Sequence, residues 1–194
     1  MLLELEKDSF ASGQIGSKLW LCRELEKTLP STTPLTYWVL GGWIGMLPFL
    51  IRSREVLPVK SIRSFDLDGV ASEKAEIINN LWVWQEWQFK SFRADCNELD
   101  FNDGGPFYSD APDVIINTST EHMPNQKWFE NIPEGRWVVL QNTDMKIDDH
   151  VNKVTSVEQL KEKFPLSQTH YSGELYFDYG NETSFKRFML IGQK

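Results

Sequence analysis

Four short segments of this 194-residue chain hold residue types that can do chemistry. Gly41-Gly42-Trp43-Ile44-Gly45 follows the apolar run Tyr37–Leu40, and Asp66-Leu67-Asp68 closes the alternating run Ser61–Asp66. Asp95-Cys96 closes Phe89–Ala94, and Asn117-Thr118-Ser119-Thr120-Glu121-His122-Met123 follows Val114-Ile115-Ile116. Glycines between a strand and a helix let backbone approach a ligand and leave helix N–H groups free to bind it. An acidic residue about 20 residues beyond such a turn suits ribose hydroxyls. An Asp at the next strand end can accept a hydrogen bond from an exocyclic amine such as that of adenine. His122 is the candidate for moving a proton or orienting a reactant, since an unperturbed imidazole titrates near 6.5.

Other polar groups carry weaker signals. Asn142, Thr143 and Asp144 follow the apolar run Trp137–Leu140 and face the expected cleft, but turn formation explains them better than a site does. His150 stands beside Asp148 and Asp149, but no Cys/His spacing supports a metal site, so no metal is expected and a solvated loop is. His170 is isolated. Phe101–Tyr108, glycine-rich and flanked by aromatics, reads equally as a lid or as a surface loop.

The elements that must position these residues alternate. Ser17–Leu29 has apolar residues at helical spacing and ends at Pro30 and Pro34. Strand Tyr37–Leu40 leads through the glycines into a helix from about Gly45, with Pro48 in its first turn. Strand Ser61–Asp66 precedes a helix Glu73–Leu81 capped by Ser72. Strands Phe89–Ala94, Asp113–Asn117 and Trp137–Leu140 follow, with a short helix Trp128–Asn131 before the last and a helix Val157–Phe164 capped by Ser156 after it. Tyr171–Asp178 and Lys186–Ile191 read as a hairpin joined at Tyr179–Glu182. This order predicts an α/β fold: a Rossmann-like, seven-stranded, mostly parallel sheet with helices on both faces and a C-terminal antiparallel β-hairpin. Ligands of such sheets bind at the carboxyl ends of the strands. No repeat or long linker divides the chain, which is read as one domain, 1–194, with a helical segment 1–33 and a core 34–194.

Composition narrows the function. A net charge of −8 argues against non-specific nucleic-acid binding, which depends on neutralising phosphates. Two cysteines make no disulfide framework and fit reduced thiols in a cytoplasmic protein. The N-terminus is acidic where a secretory signal needs a basic region. Trp38–Ile51 is shorter than the ~20 residues that span a bilayer, so no membrane association is expected.

The ordered segments resemble the class I S-adenosylmethionine-dependent methyltransferases over nearly the whole chain. VLGGWIG resembles the first motif of that family, FDLD the second, RADC the third and DVIINTSTEHM the fourth. The resemblance implies S-adenosyl-L-methionine as cofactor. It implies that Gly41, Gly42 and Gly45 cradle the amino-acid part, that Asp66, with Leu67 beside it, binds the ribose, and that Asp95 and Cys96 lie along the adenine. Asn117 and Thr118, at the end of strand four, complete the implied cofactor set. Two positions depart from the family. Val39 or Leu40 stands where an acidic residue usually opens the first motif, and Trp43 replaces a small residue. Trp43 either lines the methionine channel or packs beneath the helix. A nicotinamide dehydrogenase is the rival reading, but the turn is not a clean G-x-G-x-x-G, and a P-loop would need a following Gly-Lys-Ser/Thr.

The acceptor class is bounded by what strand four lacks. Amino-methylating DNA enzymes carry a Pro-Pro-aromatic segment there, and cytosine C5 enzymes a Pro-Cys nucleophile nearby. Neither is present, so DNA is disfavoured and a small molecule or protein side chain is expected to accept the methyl group. Two alternatives stay open: a non-catalytic protein that kept the fold for binding, and an aminopropyltransferase or lyase using the same cofactor.

Overall fold

The computed structural model describes residues 7–29, 32–55, 57–103, 110–180 and 184–194. Pro30, most of the Phe101–Tyr108 segment, and Asn181 and Glu182 of the hairpin junction lie outside the described residues. The described strands follow the seven-stranded order β3-β2-β1-β4-β5-β7-β6. The chain divides into two compact units, Met1–Cys96 and Asn97–Lys194.

The first unit holds helix α1 (Ser12–Thr28), strand β1 (Leu35–Leu40), helix α2 (Met46–Arg54), strand β2 (Val59–Asp66), helices α3 (Gly69–Ile78) and α4 (Asn80–Trp84), and strand β3 (Phe89–Arg93). β1 pairs with β2 and β2 with β3, both parallel, with Tyr37 opposite Ile62 and Ile62 opposite Phe89. Both faces of β1 and β2 are covered, so these two read as near-continuous buried runs instead of alternating ones. Tyr37, Trp38, Phe65 and Phe89 fill the core with Leu21 and Leu25 of α1. Helix α1 begins well before the expected Ser17, because Gly13 and Ser17 are buried on the same face as the apolar residues.

One helix start differs from the sequence expectation for a specific reason. Ser72 lies inside α3; the cap is Asp68, whose carboxylate accepts the Val70 N–H at 2.8 Å. The link from β2 to α3 is only Leu67-Asp68, so the acidic side chain reaches the first free N–H groups before Ser72 can.

The second unit holds strand β4 (Val114–Asn117), helix α5 (Lys127–Glu130), strand β5 (Trp137–Thr143), helix α6 (Val157–Lys163) and strands β6 (Gln168–Asp178) and β7 (Ser184–Gln193). β4 and β5 are parallel, and β7 is antiparallel to both β5 and β6. Ser156 caps α6 as expected, its hydroxyl accepting the Gln159 N–H. β5 runs on past the expected end at Leu140 through Gln141, Asn142 and Thr143, so Asn142 and Thr143 lie in the strand and not in a turn. All three are fully buried. Asn142 shows how its polar side chain is buried: its amide donates to Thr120 Oγ1 and to the Asn152 carbonyl, and its oxygen accepts the Val154 N–H, so its polar atoms are satisfied. Among the described residues no helix is long and apolar enough to cross a membrane.

Candidate functional site

In the first unit the glycine turn and the end of β2 are joined. The Asp66 carboxylate accepts the Trp43 N–H at 2.8 Å on one oxygen and the Asp68 N–H at 3.0 Å on the other. The Gly42 N–H bonds the Phe65 carbonyl, and the Ala94 N–H bonds the Asp66 carbonyl, so the ends of all three strands are held together. Asp66 is half-buried, and each of its oxygens keeps a second lone pair. Leu67, beside it, exposes 68% of its surface. Asp95 is exposed, whereas Cys96 is buried and forms no disulfide.

The turn has its own packing logic. Gly45 has φ +76° and precedes α2, which carries no side-chain cap. A Cβ on Gly45 would also fall 2.7 Å from Asn79 Nδ2 and 2.9 Å from the Ala75 Cβ. A Cβ on Gly42 would fall 1.9 Å from Ser64 Oγ. Trp43, half-buried, takes φ +46°, a conformation that bulky side chains rarely adopt. Its bond to Asp66 helps to hold it there.

In the second unit, Asn117 closes β4 fully buried; its oxygen accepts the Ser119 N–H, and its amide nitrogen has no partner among the described residues. The next residues turn through a short 3-10 helix, Thr120–His122. Thr120 donates to the Gln141 carbonyl, tying that turn to β5. Glu121 is 1% exposed and makes a 2.6 Å ion pair with Arg187 of β7. Arg187 also donates to the Thr118 carbonyl at 3.4 Å. His122 remains accessible, its side chain 41% exposed, with Nδ1 3.4 Å from the Asp149 carboxylate.

His150 is a correction to the expectation of a solvated loop. It is 7% exposed, its Nδ1 lies 3.0 Å from the Met145 carbonyl, and its ring meets that of His122 edge-on with centroids 4.7 Å apart. The loop is held down by the Asn152 N–H, which bonds the Glu121 carbonyl, and by Lys163, which donates to Asn152. Burial holds the Lys163 ammonium below the usual lysine range. Arg187, Glu121 and His150 are the residues that sequence reasoning passed over as a group. Arg187 carried one signal, a charge beside the apolar run Phe188–Ile191.

No protein-family model and no curated protein sequence matches the chain. Its fold does match solved structures. A sarcosine dimethylglycine methyltransferase, so described as putative, from Galdieria sulphuraria aligns with a TM-score of 0.66 at 14% identity, over 98% of this chain and 91% of that one. The N-methyltransferase NodS from Bradyrhizobium japonicum WM9 aligns with a TM-score of 0.63 at 10% identity, over 98% and 100%. Geranyl diphosphate C-methyltransferase from Streptomyces coelicolor A3(2), solved with Mg2+, geranyl diphosphate and S-adenosyl-L-homocysteine, aligns with a TM-score of 0.62 at 12% identity, over 90% and 78%. The chain therefore has the fold of these methyltransferases, and the expected seven-stranded Rossmann-like architecture is the one observed.

Proposed function

We propose that this protein is an S-adenosylmethionine-dependent methyltransferase acting on a small-molecule or protein acceptor. The observation that carries the reading is the Asp66 carboxylate, fixed to the glycine turn at Trp43 and still able to accept further hydrogen bonds. It stands in a fold whose solved examples include enzymes bound to S-adenosylmethionine or S-adenosylhomocysteine.

The residues fit the cofactor's chemistry. Asp66 would accept the ribose hydroxyls through its second lone pairs. The exposed Leu67 offers apolar surface for a flat base, and Asp95 an acceptor for its amine. Gly41, Gly42, Trp43 and Gly45 would present backbone at the uncapped start of α2. Asn117, whose buried amide nitrogen has no partner among the described residues, and Thr118 offer further polar groups at the end of β4. When bound, the cofactor supplies a methyl group on an electrophilic sulfonium, so the protein's work is orientation and proton handling. His122 suits that work. Asp149 lies on its Nδ1 side, leaving Nε2 to receive a proton from an O–H or N–H acceptor or to orient that acceptor.

A second reading, a binding protein without turnover, is favoured by the turn itself. Gly42 and Gly45 are both required by Ser64, Ala75 and Asn79 with no ligand present. Incubation with methyl-labelled S-adenosylmethionine and fractionated pools of metabolites and proteins separates the two. Label in an acceptor with matching S-adenosylhomocysteine release is the expected result. Cofactor binding with no transfer to any pool would leave the binding protein instead.

A further inference from the structure

We propose that Glu121, His122 and His150 bind a divalent first-row metal ion of the zinc and cobalt(II) type. Each residue offers a donor atom, and the three atoms lie within 4.8 Å of one another. Three further observations give this grouping the construction of a metal site.

The first is the free oxygen of Glu121. Arg187 occupies Oε1 at 2.6 Å, while the buried Oε2 has no partner among the described residues. A buried carboxylate oxygen without a donor is costly, and a cation would satisfy it. Because Arg187 holds the other oxygen, Glu121 would bind through one oxygen only.

The second is the orientation of the imidazoles. A carbonyl can only accept, so the contact of His150 Nδ1 with the Met145 carbonyl places the proton on Nδ1 and a lone pair on Nε2. His122 likewise has Nδ1 toward an oxygen, that of Asp149. Histidines that bind metals usually donate their other ring N–H to a carbonyl or carboxylate in this way, which fixes the tautomer.

The third is the mixture of burial. Glu121 and His150 are buried and fixed, whereas His122 is accessible and free to adjust. Metal–ligand bonds of about 2.1 Å put neighbouring tetrahedral donors about 3.4 Å apart. His122, the accessible residue of the three, can turn toward the two buried ones. Two nitrogens and one oxygen select a borderline ion over magnesium or calcium, which prefer all-oxygen sets. Three protein ligands leave at least one position open. In the loaded protein His122 holds the ion, which favours its orienting role over its proton-accepting one. The site stands whether or not the chain transfers methyl groups.

The test uses metal-stripped full-length protein titrated with Co2+, read by visible d–d absorption, with Zn2+ displacement and thermal midpoints. The expected result is one equivalent bound, displaced by Zn2+, with a midpoint that rises on loading. His122→Ala, at an accessible position, should fold as wild type and weaken Co2+ binding at least about tenfold, and Asp149→Ala about tenfold. Glu121→Gln should weaken it further. Absent binding, or Co2+ binding unchanged by His122→Ala, would overturn the proposal.

Discussion

At the scale of single residues, Gly42 and Ser64 set the tightest constraint in the turn. The Ser64 hydroxyl is buried with no partner among the described residues, directly where a Gly42 side chain would go. Gly42→Ala should cost about 1–3 kcal/mol, the range for overpacking. In a Ser64→Ala background most of that cost should disappear, because the remaining contacts are the residue-64 Cβ at 3.3 Å and Val39 Cγ1 at 3.6 Å. A urea-denaturation cycle reads it, and equal costs in both backgrounds would show that the strain lies elsewhere. Glu121 and Arg187 form the other sensitive pair. Glu121→Ala in metal-free protein strands a buried guanidinium and should cost about 3–5 kcal/mol, whereas the double variant Glu121→Ala/Arg187→Met should recover a large part. Cys22 gives a pH signature. Burial pushes its thiol from 9.0 up to about 12, against a smaller opposing pull from Arg54. The folded state therefore keeps a proton that the unfolded chain releases. This stabilisation is full below pH 9 and is lost as pH rises toward 12. Wild type should lose more urea resistance over that interval than Cys22→Ala; parallel profiles would contradict the assignment.

At the scale of elements, the apolar cores of the strands were legible, and the ends of the helices and of β5 were not. Val114-Ile115-Ile116 and Phe89–Arg93 announce themselves by β-branched and aromatic residues between turn signals. Ser72 and Asp68 are both acceptable caps by type, and only the shortness of the β2–α3 link chooses Asp68. Asp68→Ala should therefore lower stability by about 1 kcal/mol, and Ser72→Ala should not act as a cap loss. Thermal unfolding of the two variants decides it; the reverse order would restore Ser72. The polar end of β5 was misread for a related reason. Asn142 and Thr143 look like turn residues until their partners, Thr120, Asn152 and Lys186, are brought in from distant segments. The candidate site, itself a proposal, was legible in its local parts only. Asp66 and the glycine turn follow from local order along the chain, and Glu121-His122 from their place after β4. His150 and Arg187 reach Glu121 and His122 only through the folding of a loop and the return of β7, which no local pattern encodes.

At the scale of the molecule, the seven-stranded order and its solved counterparts give the fold, while the proposed function is argued from the residues at the strand ends. The acidic chain, at −8, makes a nucleic-acid backbone a poor partner, and the function we propose for it is a cofactor-dependent reaction on a small molecule or protein. Titration calorimetry with S-adenosylhomocysteine tests that reading most directly. Wild type is predicted to bind one equivalent, and Asp66→Ala to lose most of the affinity, while NAD gives no heat. No binding of S-adenosylhomocysteine at millimolar concentration, or an affinity unchanged by Asp66→Ala, would contradict it.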